Sequence, residues 1–141
     1  YAWDHHWGIF PHLDKQLPIY DNSYSALLND LDERSMLDTT LVITAGEFGR
    51  TPKLNKDKRG PGRDHWASCF SLTMGGGGVK TGRVIGASDK HGAVPTDCPV
   101  SIADFAATVY HALGLDPKAE YLAQGRPMRF LPEGSPVKEL F

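Results

Sequence analysis

The sequence lacks the features that mark several common protein classes. No apolar run approaches the roughly 18 residues that a membrane span needs, and no segment has the pattern of a signal peptide. The 15 basic and 17 acidic residues nearly balance, so the overall charge does not point to nucleic acid as a partner. Internal repeats and low-complexity segments are also absent. With 141 residues, of which 40% are hydrophobic, the chain is long enough for one domain with a sizeable core.

Cysteine is scarce, and the chain does not begin with methionine. Cys69 and Cys98 fit neither a CxxC metal knuckle nor a disulfide-rich framework. One bridge could join them, although two independent buried thiols fit the sequence better. Because the first residue is Tyr1, we expect residues 1–141 to be a single domain fragment whose N-terminal part, with any targeting signal, is missing.

Hydrophobic periodicity predicts two helices. Apolar residues between Tyr20 and Leu31 recur at intervals of three and four, which predicts a helix that begins near residue 21, ends near Ser35 and lies on a sheet. A second stripe ends at Gly114, and Ser101 with an aspartate three positions later has the pattern of a capping box at its start.

Short runs of β-branched or alternating apolar residues predict strands. They lie at residues 40–45, 70–74 and 83–86, and the second run stops at four consecutive glycines. Residues 125–141 are rich in proline and glycine, which predicts an irregular edge segment with one or two short strands. The alternation of helix and strand indicates an α/β fold.

Polar clusters lie where strands or loops should end: WDHH (residues 3–6), GEFGRTP (residues 46–52) and GRDHW (residues 62–66). Carboxylate and imidazole groups bind Zn, Mn or Fe-type ions, so converging clusters would build a hydrolytic metal site. Ligands bind at the carboxyl ends of strands in an open α/β sheet, which makes Glu47 and Arg50 candidate site residues. The alternative is a tight turn in which Glu47 only pairs with Arg50.

The histidines differ in how well their positions suit a metal site. Asp4 and His6 are two positions apart, so on an extended segment both face one side while His5 faces the other. A local hydrogen bond between Asp4 and His6 would explain their spacing equally well. Asp64 and His65 form an adjacent pair that can supply one ligand and one orienting group. The weaker candidates are His12, His91 and His111.

Basic residues cluster in only one place, between residues 53 and 63. We expect this run to be a solvated loop. The alternative is a place where an anionic substrate approaches.

Together the motifs resemble one protein family over nearly the whole chain. The stretches that carry the resemblance are WDHH (3–6), LDTTLV (37–42), GEFGRTP (46–52), GRDH (62–65), GGGGV (75–79) and DFAAT (104–108). They look like the sulfatase-like domain-of-unknown-function 1501 family, for which GEFGRTP and GRDH are specific. That family resembles the alkaline phosphatase superfamily, whose members bind one or two divalent metals and hydrolyse phosphate or sulfate esters. The implied fold is α/β, the C-terminal portion of an alkaline phosphatase or sulfatase-like sandwich with a mostly parallel sheet covered by helices.

Carried over by position, the resemblance implies these metal ligands or supporting groups: Asp4, His6, His65, Glu47 and Asp64. Arg50, which would stabilise anionic charge, and Glu47 are the catalytic candidates. The implied cofactor is a divalent metal, which could be Zn, Ca, Mg or Mn. The strand at 40–45 ends in Gly-Glu where the superfamily usually has Asp-His, which puts a second metal in doubt. No nucleophile can be assigned, because in the superfamily it lies N-terminal to this region.

The implied function is a metal-dependent hydrolase of sulfate or phosphate esters whose active site is completed by missing N-terminal residues. Its partner would be an anionic ester, with a sulfated glycan as one candidate, and its location would be periplasmic or exported. One alternative is a non-catalytic sulfatase-like domain that binds an anionic glycan or a partner protein. Another is an α/β fragment whose polar clusters only satisfy loop backbone groups.

Overall fold

The computed structural model describes residues 3–141, which contain two helices and eight short strands. The structure is therefore mixed α/β. The helices are α1 (Ile9–Glu33) and α2 (Ile102–Ala112). The strands are β1 (Val42–Thr44), β2 (Gly49–Arg50), β3 (His65–Trp66), β4 (Thr73–Gly75), β5 (Ala87–Ser88), β6 (Pro95–Asp97), β7 (Glu120–Ala123) and β8 (Arg126–Arg129). Single 3-10 turns occupy Leu37–Thr39 and Lys138–Leu140.

Helix α1 is much longer than its apolar stripe predicts. It ends at Glu33, close to the predicted Ser35, but it begins at Ile9 rather than near residue 21. Pro11 lies in the first turn, where no backbone N–H is needed, and Pro18 lies inside the helix at the loss of one hydrogen bond. Because these two prolines interrupt the pattern that predicts a helix, the first half of α1 was not predicted. Within the described residues, no helix is both long and apolar enough to span a membrane.

Strand β1 lies inside the predicted run at 40–45, but its pairing differs from the expected parallel sheet. It pairs antiparallel with β4, with Val42 opposite Gly75. All four sheets are two-stranded and antiparallel, and no parallel pair occurs within residues 3–141. Parallel neighbours need a crossover connection, usually a helix. Between β1 and β4 the chain instead forms the β2–β3 pair and a long loop. Helix α1 contacts this sheet, because Tyr24 and Leu28 lie beside Gly75.

The strand predicted at residues 83–86 is wrong. Val84 is 94% exposed, and the nearest strand, β5, begins after it at Ala87. An apolar pair between glycines looks like a strand in sequence, but here it has no partner strand among the described residues.

Helix α2 and the C-terminal segment follow the predictions closely. Ser101 Oγ accepts from the backbone N–H of Asp104 at 3.0 Å, and Asp104 Oδ2 accepts from the backbone N–H of Ser101 at 3.0 Å, which confirms the capping box. Thr108 is buried, and its hydroxyl accepts from the backbone N–H of Val137 at 2.9 Å. Residues 125–141 contain one strand, β8, and the 3-10 turn at Lys138–Leu140, and are otherwise irregular.

Few side chains are fully buried. The buried apolar residues of the described chain are Leu31, Val79 and Ala107. Cys69 and Cys98 are both free thiols, so the predicted independence of the two cysteines is confirmed. Cys98, in the turn after β6, is exposed and Cys69 is only half-buried, so the prediction that both thiols are buried is wrong.

Candidate metal centre

Asp4, His6 and His65 come together at one point on the surface, although Asp4 and His65 are 61 residues apart in the sequence. His6 Nε2 lies 3.1 Å and His65 Nε2 lies 3.0 Å from the same oxygen, Asp4 Oδ1. One potential ligand atom from each residue lies within 4.8 Å of the others. Within residues 3–141, this is the one group of three or more His, Cys, Asp or Glu side chains with such a geometry.

The β2–β3 pair supplies two of the side chains at this point. Arg50 and His65 are directly opposite each other in the antiparallel register, so their side chains share one face. The pair fits tightly against the chain that follows it, because a Cβ on Gly49 would overlap the backbone carbonyl of Cys69. The turn between 46 and 49 therefore brings Arg50 to the candidate centre only with glycine at position 49.

The segment that carries Asp4 and His6 is held by the loop before β3. The backbone N–H of Arg63 donates to the carbonyl of His5 at 3.1 Å. Gly62 lies so close to this segment that a Cβ there would overlap the carbonyl carbon and oxygen of His6. The loop and the N-terminal segment are therefore in direct backbone contact at His5 and His6, next to the candidate ligands.

Asn55 links the two backbones, and sequence patterns gave no sign of its role. Its Nδ2 donates to the carbonyl of His6 at 2.8 Å, and its Oδ1 accepts from the N–H of Gly62 at 2.9 Å. The same Nδ2 lies 3.4 Å from Asp64 Oδ1. Asn55 therefore contacts both sides of the site without offering a ligand of its own.

Arg50 pairs with the candidate carboxylate ligand. Its Nη1 donates to Asp4 Oδ1 at 2.6 Å, and its Nη2 donates to the carbonyl of Trp3 at 3.3 Å. Hydrogen bonding from His65 and from Arg50 lowers the pKa of Asp4 from 3.8 to about 2. Asp4 is therefore ionised at neutral pH, as a ligand carboxylate must be.

Asp64 contacts the other nitrogen of His6 and lies outside the group of three candidate ligands. Its Oδ1 lies 2.7 Å from His6 Nδ1, on the side of the ring away from Asp4. The His6 contact, with a smaller contribution from Asn55, lowers the pKa of Asp64 below its ordinary value. Metal-bound histidines usually donate their second ring N–H to a carboxylate in this way.

The hydrogen bonds at His6 leave a position for a cation. If Nδ1 carries the proton that is donated to Asp64, the Nε2 of a neutral imidazole is an acceptor that faces the Asp4 carboxylate, another acceptor, at 3.1 Å. Two acceptors at this distance repel unless a proton or a metal ion lies between them. In a tetrahedral site with bonds of about 2.0–2.2 Å, adjacent ligand atoms are roughly 3.3–3.6 Å apart. The distances of 3.0 and 3.1 Å from Asp4 Oδ1 to the two imidazoles are close to this range.

The surroundings of the three residues are partly apolar and partly open. The Phe48 ring packs against His65 with centroids 4.2 Å apart. A cavity of about 330 Å³ is lined by Asp4, His5, His6, Trp7 and His12. His65 remains 49% exposed, so both the ligands and the cavity are open to solvent.

The remaining sequence candidates lie outside the cluster. Glu47 is exposed and forms no hydrogen bond or ion pair with any residue in the described range. His5 faces away from Asp4 as predicted, because it is buried, bonds Gln16 at 2.6 Å and stacks on His12. His111 packs edge-on against Phe141, in keeping with a structural role.

Comparison with known proteins yields a family but no characterised relative. No curated protein and no solved structure matches the chain. All 141 residues, from 1 to 141, match the family described as "Protein of unknown function (DUF1501)". The chain therefore belongs to this family.

Proposed function

We propose that Asp4, His6 and His65 bind a divalent metal ion and that this centre hydrolyses sulfate or phosphate esters. The observation that carries the proposal is the convergence of the three side chains around Asp4 Oδ1, at 3.0 and 3.1 Å, from two distant segments. A bound divalent ion would act as a Lewis acid on the ester oxygens. In the hydrolysis, the oxygen of water forms a bond to sulfur or phosphorus, the bond to the alcohol oxygen breaks, and a proton from water passes to that oxygen.

Two imidazoles and one carboxylate favour some divalent metals over others. Imidazole nitrogen suits Zn²⁺, whereas Mg²⁺ and Ca²⁺ prefer sites built only from oxygen. We therefore propose Zn²⁺ first and Mn²⁺ second, with Ca²⁺ and Mg²⁺ least suited. Three protein ligands leave at least one coordination position for water or substrate, as in catalytic zinc sites.

The chain's own residues would have distinct tasks in this reaction. Asp64 holds His6 so that Nε2 faces the metal position, since it lies 2.7 Å from Nδ1. Arg50 keeps Asp4 ionised and in place at 2.6 Å, and its positive charge lies next to any anionic ester at the centre. Glu47 lies only three residues before Arg50, and its assignment as a catalytic group stays a prediction.

The proposal includes the wider family relationship. We propose that this family belongs to the alkaline phosphatase superfamily and that β1 contributes to a mostly parallel sheet of that type. Support comes from the composition of β1, whose residues Val42, Ile43 and Thr44 suit a strand that is covered on both faces. In the structure these residues are only half-buried.

One observation favours a second candidate, a non-catalytic domain that binds an anionic glycan or a partner protein. Within residues 3–141, no Ser, Thr or Cys side chain bonds to Asp4, His6 or His65. A covalent mechanism would need such a nucleophile near the metal. With the groups that contact the three candidate ligands, hydrolysis would proceed by direct attack of water.

Metal content separates a metal centre from a hydrogen-bond network. We expect the purified protein to hold stoichiometric metal after dialysis, by elemental analysis, and His65→Ala to lose most of it, because one of three ligands is gone. His91→Ala is the matched control, since His91 is an exposed histidine outside the cluster. Equal metal content in His65→Ala and the wild type would remove His65 from the site.

Activity then separates the two candidate functions. The metal-loaded protein is assayed on a panel of aryl and sugar sulfate and phosphate esters, with Glu47→Gln, Arg50→Gln and His65→Ala in parallel. Turnover that requires His65 supports the hydrolase. Stoichiometric metal without turnover on any ester supports the non-catalytic domain.

A further inference from the structure

The loop at residues 52–63, called here the basic loop, is attached directly to the candidate metal centre. Asn55 donates to the carbonyl of His6 at 2.8 Å. Further along the loop, the carbonyl of Gly60 accepts from the N–H of Gly8 at 3.2 Å. The basic loop therefore follows the backbone that carries His6, which places its backbone next to the candidate centre.

The two arginines of the basic loop form contacts with other residues of the chain. Arg59 bonds both carboxylate oxygens of Asp57 at 2.9 Å, and its guanidinium lies 3.5 Å from the centroid of the Trp7 ring. Arg63 donates to the carbonyls of Thr51 and of the residue after it. These contacts stabilise the loop and use Nε and Nη2 of Arg59 and Nη1 of Arg63.

The three lysines of the basic loop have no such partners. Lys53, Lys56 and Lys58 are all exposed, and none forms an ion pair or side-chain hydrogen bond with the described part of the chain. Their ammonium groups are mobile point charges that bind oxyanions without a fixed geometry. Three unpaired ammonium groups within six positions suit a ligand with several anionic groups.

The charge of the basic loop contrasts with the rest of the molecule. Its five basic residues and one acidic residue give +4, while the whole chain has a net charge of −2, so the remainder carries −6. The surface outside the loop is therefore on balance negative, which disfavours a long polyanion that extends beyond the loop. The contrast therefore favours a short polyanion over a polymer.

We propose that Lys53, Lys56 and Lys58 bind further sulfate or phosphate groups of a small polyanionic ester. The inference rests on the proposed function for the group that reacts at Asp4, His6 and His65, and it names the substrate class of that centre. A nucleic acid is less suited, because single strands are bound by stacking bases on exposed aromatic rings. The Trp7 ring beside the loop is 40% exposed, and Arg59 lies over it, so single-stranded DNA is included in the test as the competing ligand.

The test compares two triple variants that change charge equally. Lys53→Gln/Lys56→Gln/Lys58→Gln removes the three loop charges, and Lys90→Gln/Lys118→Gln/Lys138→Gln removes three exposed charges elsewhere. Binding of sucrose octasulfate and of glucose 6-sulfate is measured by calorimetry at low and physiological salt. We expect octasulfate to bind the wild type at least tenfold more tightly than glucose 6-sulfate at low salt. The loop variant should lose roughly tenfold, and the control variant less than twofold.

Several results would overturn the inference. One is equal octasulfate affinity in the loop variant and the wild type; another is equal loss in the two triple variants, which would show an effect of net charge alone. Tighter binding of a 20-nucleotide single-stranded DNA than of octasulfate, lost in the loop variant, would replace the small polyanion with nucleic acid. Circular dichroism confirms that the variants fold.

Metal content keeps this inference distinct from the proposed function. If the protein holds no metal but the lysines still determine octasulfate binding, the metal centre fails and the anion-binding loop stands. If metal and ester turnover depend on His65 while the loop variant binds octasulfate normally, the loop assignment fails alone.

Discussion

The carboxylate of Asp64 lies 2.7 Å from Nδ1 of His6, while Nε2 of the same ring faces Asp4 at 3.1 Å. His6 thus lies between two carboxylates, and each of its ring nitrogens contacts one of them. This arrangement fixes which nitrogen is available to a metal, and it gives Asp64 a role that can be tested separately from that of a ligand.

Asp64→Asn should weaken metal binding without removing it. The amide cannot hold the His6 N–H as a carboxylate does, and loss of such orienting carboxylates typically costs about 10–100-fold in metal affinity. Competition with a chromogenic chelator measures the affinity. Asp30→Asn is the control, because Asp30 forms an exposed ion pair with Arg34 far from His6 in the sequence. If Asp64→Asn abolished metal binding as fully as His65→Ala does, Asp64 would be a ligand itself.

Gly62→Ala should destabilise the protein and weaken metal binding together. Its Cβ would overlap the His6 carbonyl, so the segment with Asp4 and His6 must move, at a cost of roughly 1–3 kcal/mol in the free energy of unfolding. Denaturant unfolding and metal titration measure the two effects. Gly46→Ala is matched, because its Cβ would approach only the Phe48 carbonyl, at 3.4 Å. Unchanged metal affinity in Gly62→Ala would show that the ligands do not depend on this contact.

Asn55→Ala should also lower both stability and metal affinity, in this case because hydrogen bonds are lost and not because atoms overlap. It leaves the carbonyl of His6 and the N–H of Gly62 without their partner, which typically costs about 1–3 kcal/mol when the groups are shielded from water. Metal affinity should fall along with stability, because His6 loses its backbone anchor. The control is Asn22→Ala, an exposed residue of α1. A loss of stability with full metal affinity would restrict Asn55 to holding the loop.

Asp104 should make the stability of the C-terminal part depend on pH. The hydroxyl of Ser101 first, then the backbone N–H groups of Ser135 and Ser101, lower the pKa of Asp104 below its ordinary value of 3.8. Because the pKa is lower in the folded state, the ionised group stabilises the protein fully above pH 3.8. The effect is lost as the pH falls through the lowered value.

Asp104→Asn tests this dependence. We expect a loss on the order of 1 kcal/mol at pH 7, since solvent screens this half-buried group, and a smaller loss near pH 3. Denaturant unfolding at the two pH values gives the comparison. Asp116→Asn, at an exposed aspartate after α2, serves as control. A loss that is the same at both pH values would mean that the charge of Asp104 does not contribute.

Local features were predictable where a few adjacent residues determine them. The capping box of Ser101 and Asp104 formed as expected, because its hydrogen bonds join residues three positions apart. The start of α1 was missed, since Pro11 and Pro18 interrupt the local pattern, while the first half of the helix contacts the preceding segment through the pairs Gln16–His5 and His12–His5. The antiparallel pairing of β1 with β4 was missed because pairing direction depends on the course of the intervening chain.

The chemical character of the candidate site follows from the amino-acid sequence alone. Carboxylate and imidazole groups at positions 4, 6, 64 and 65 limit what could bind there, and the spacing of Asp4 and His6 places them on one side of an extended segment. The contacts between these residues follow from the tertiary structure. His65 meets Asp4 across 61 residues, Asp64 lies against Nδ1 of His6, Glu47 lies outside the cluster, and Asn55 bonds the His6 carbonyl. Distances of about 3 Å between distant segments depend on backbone packing such as that of Gly62 on His6, which local sequence patterns do not specify.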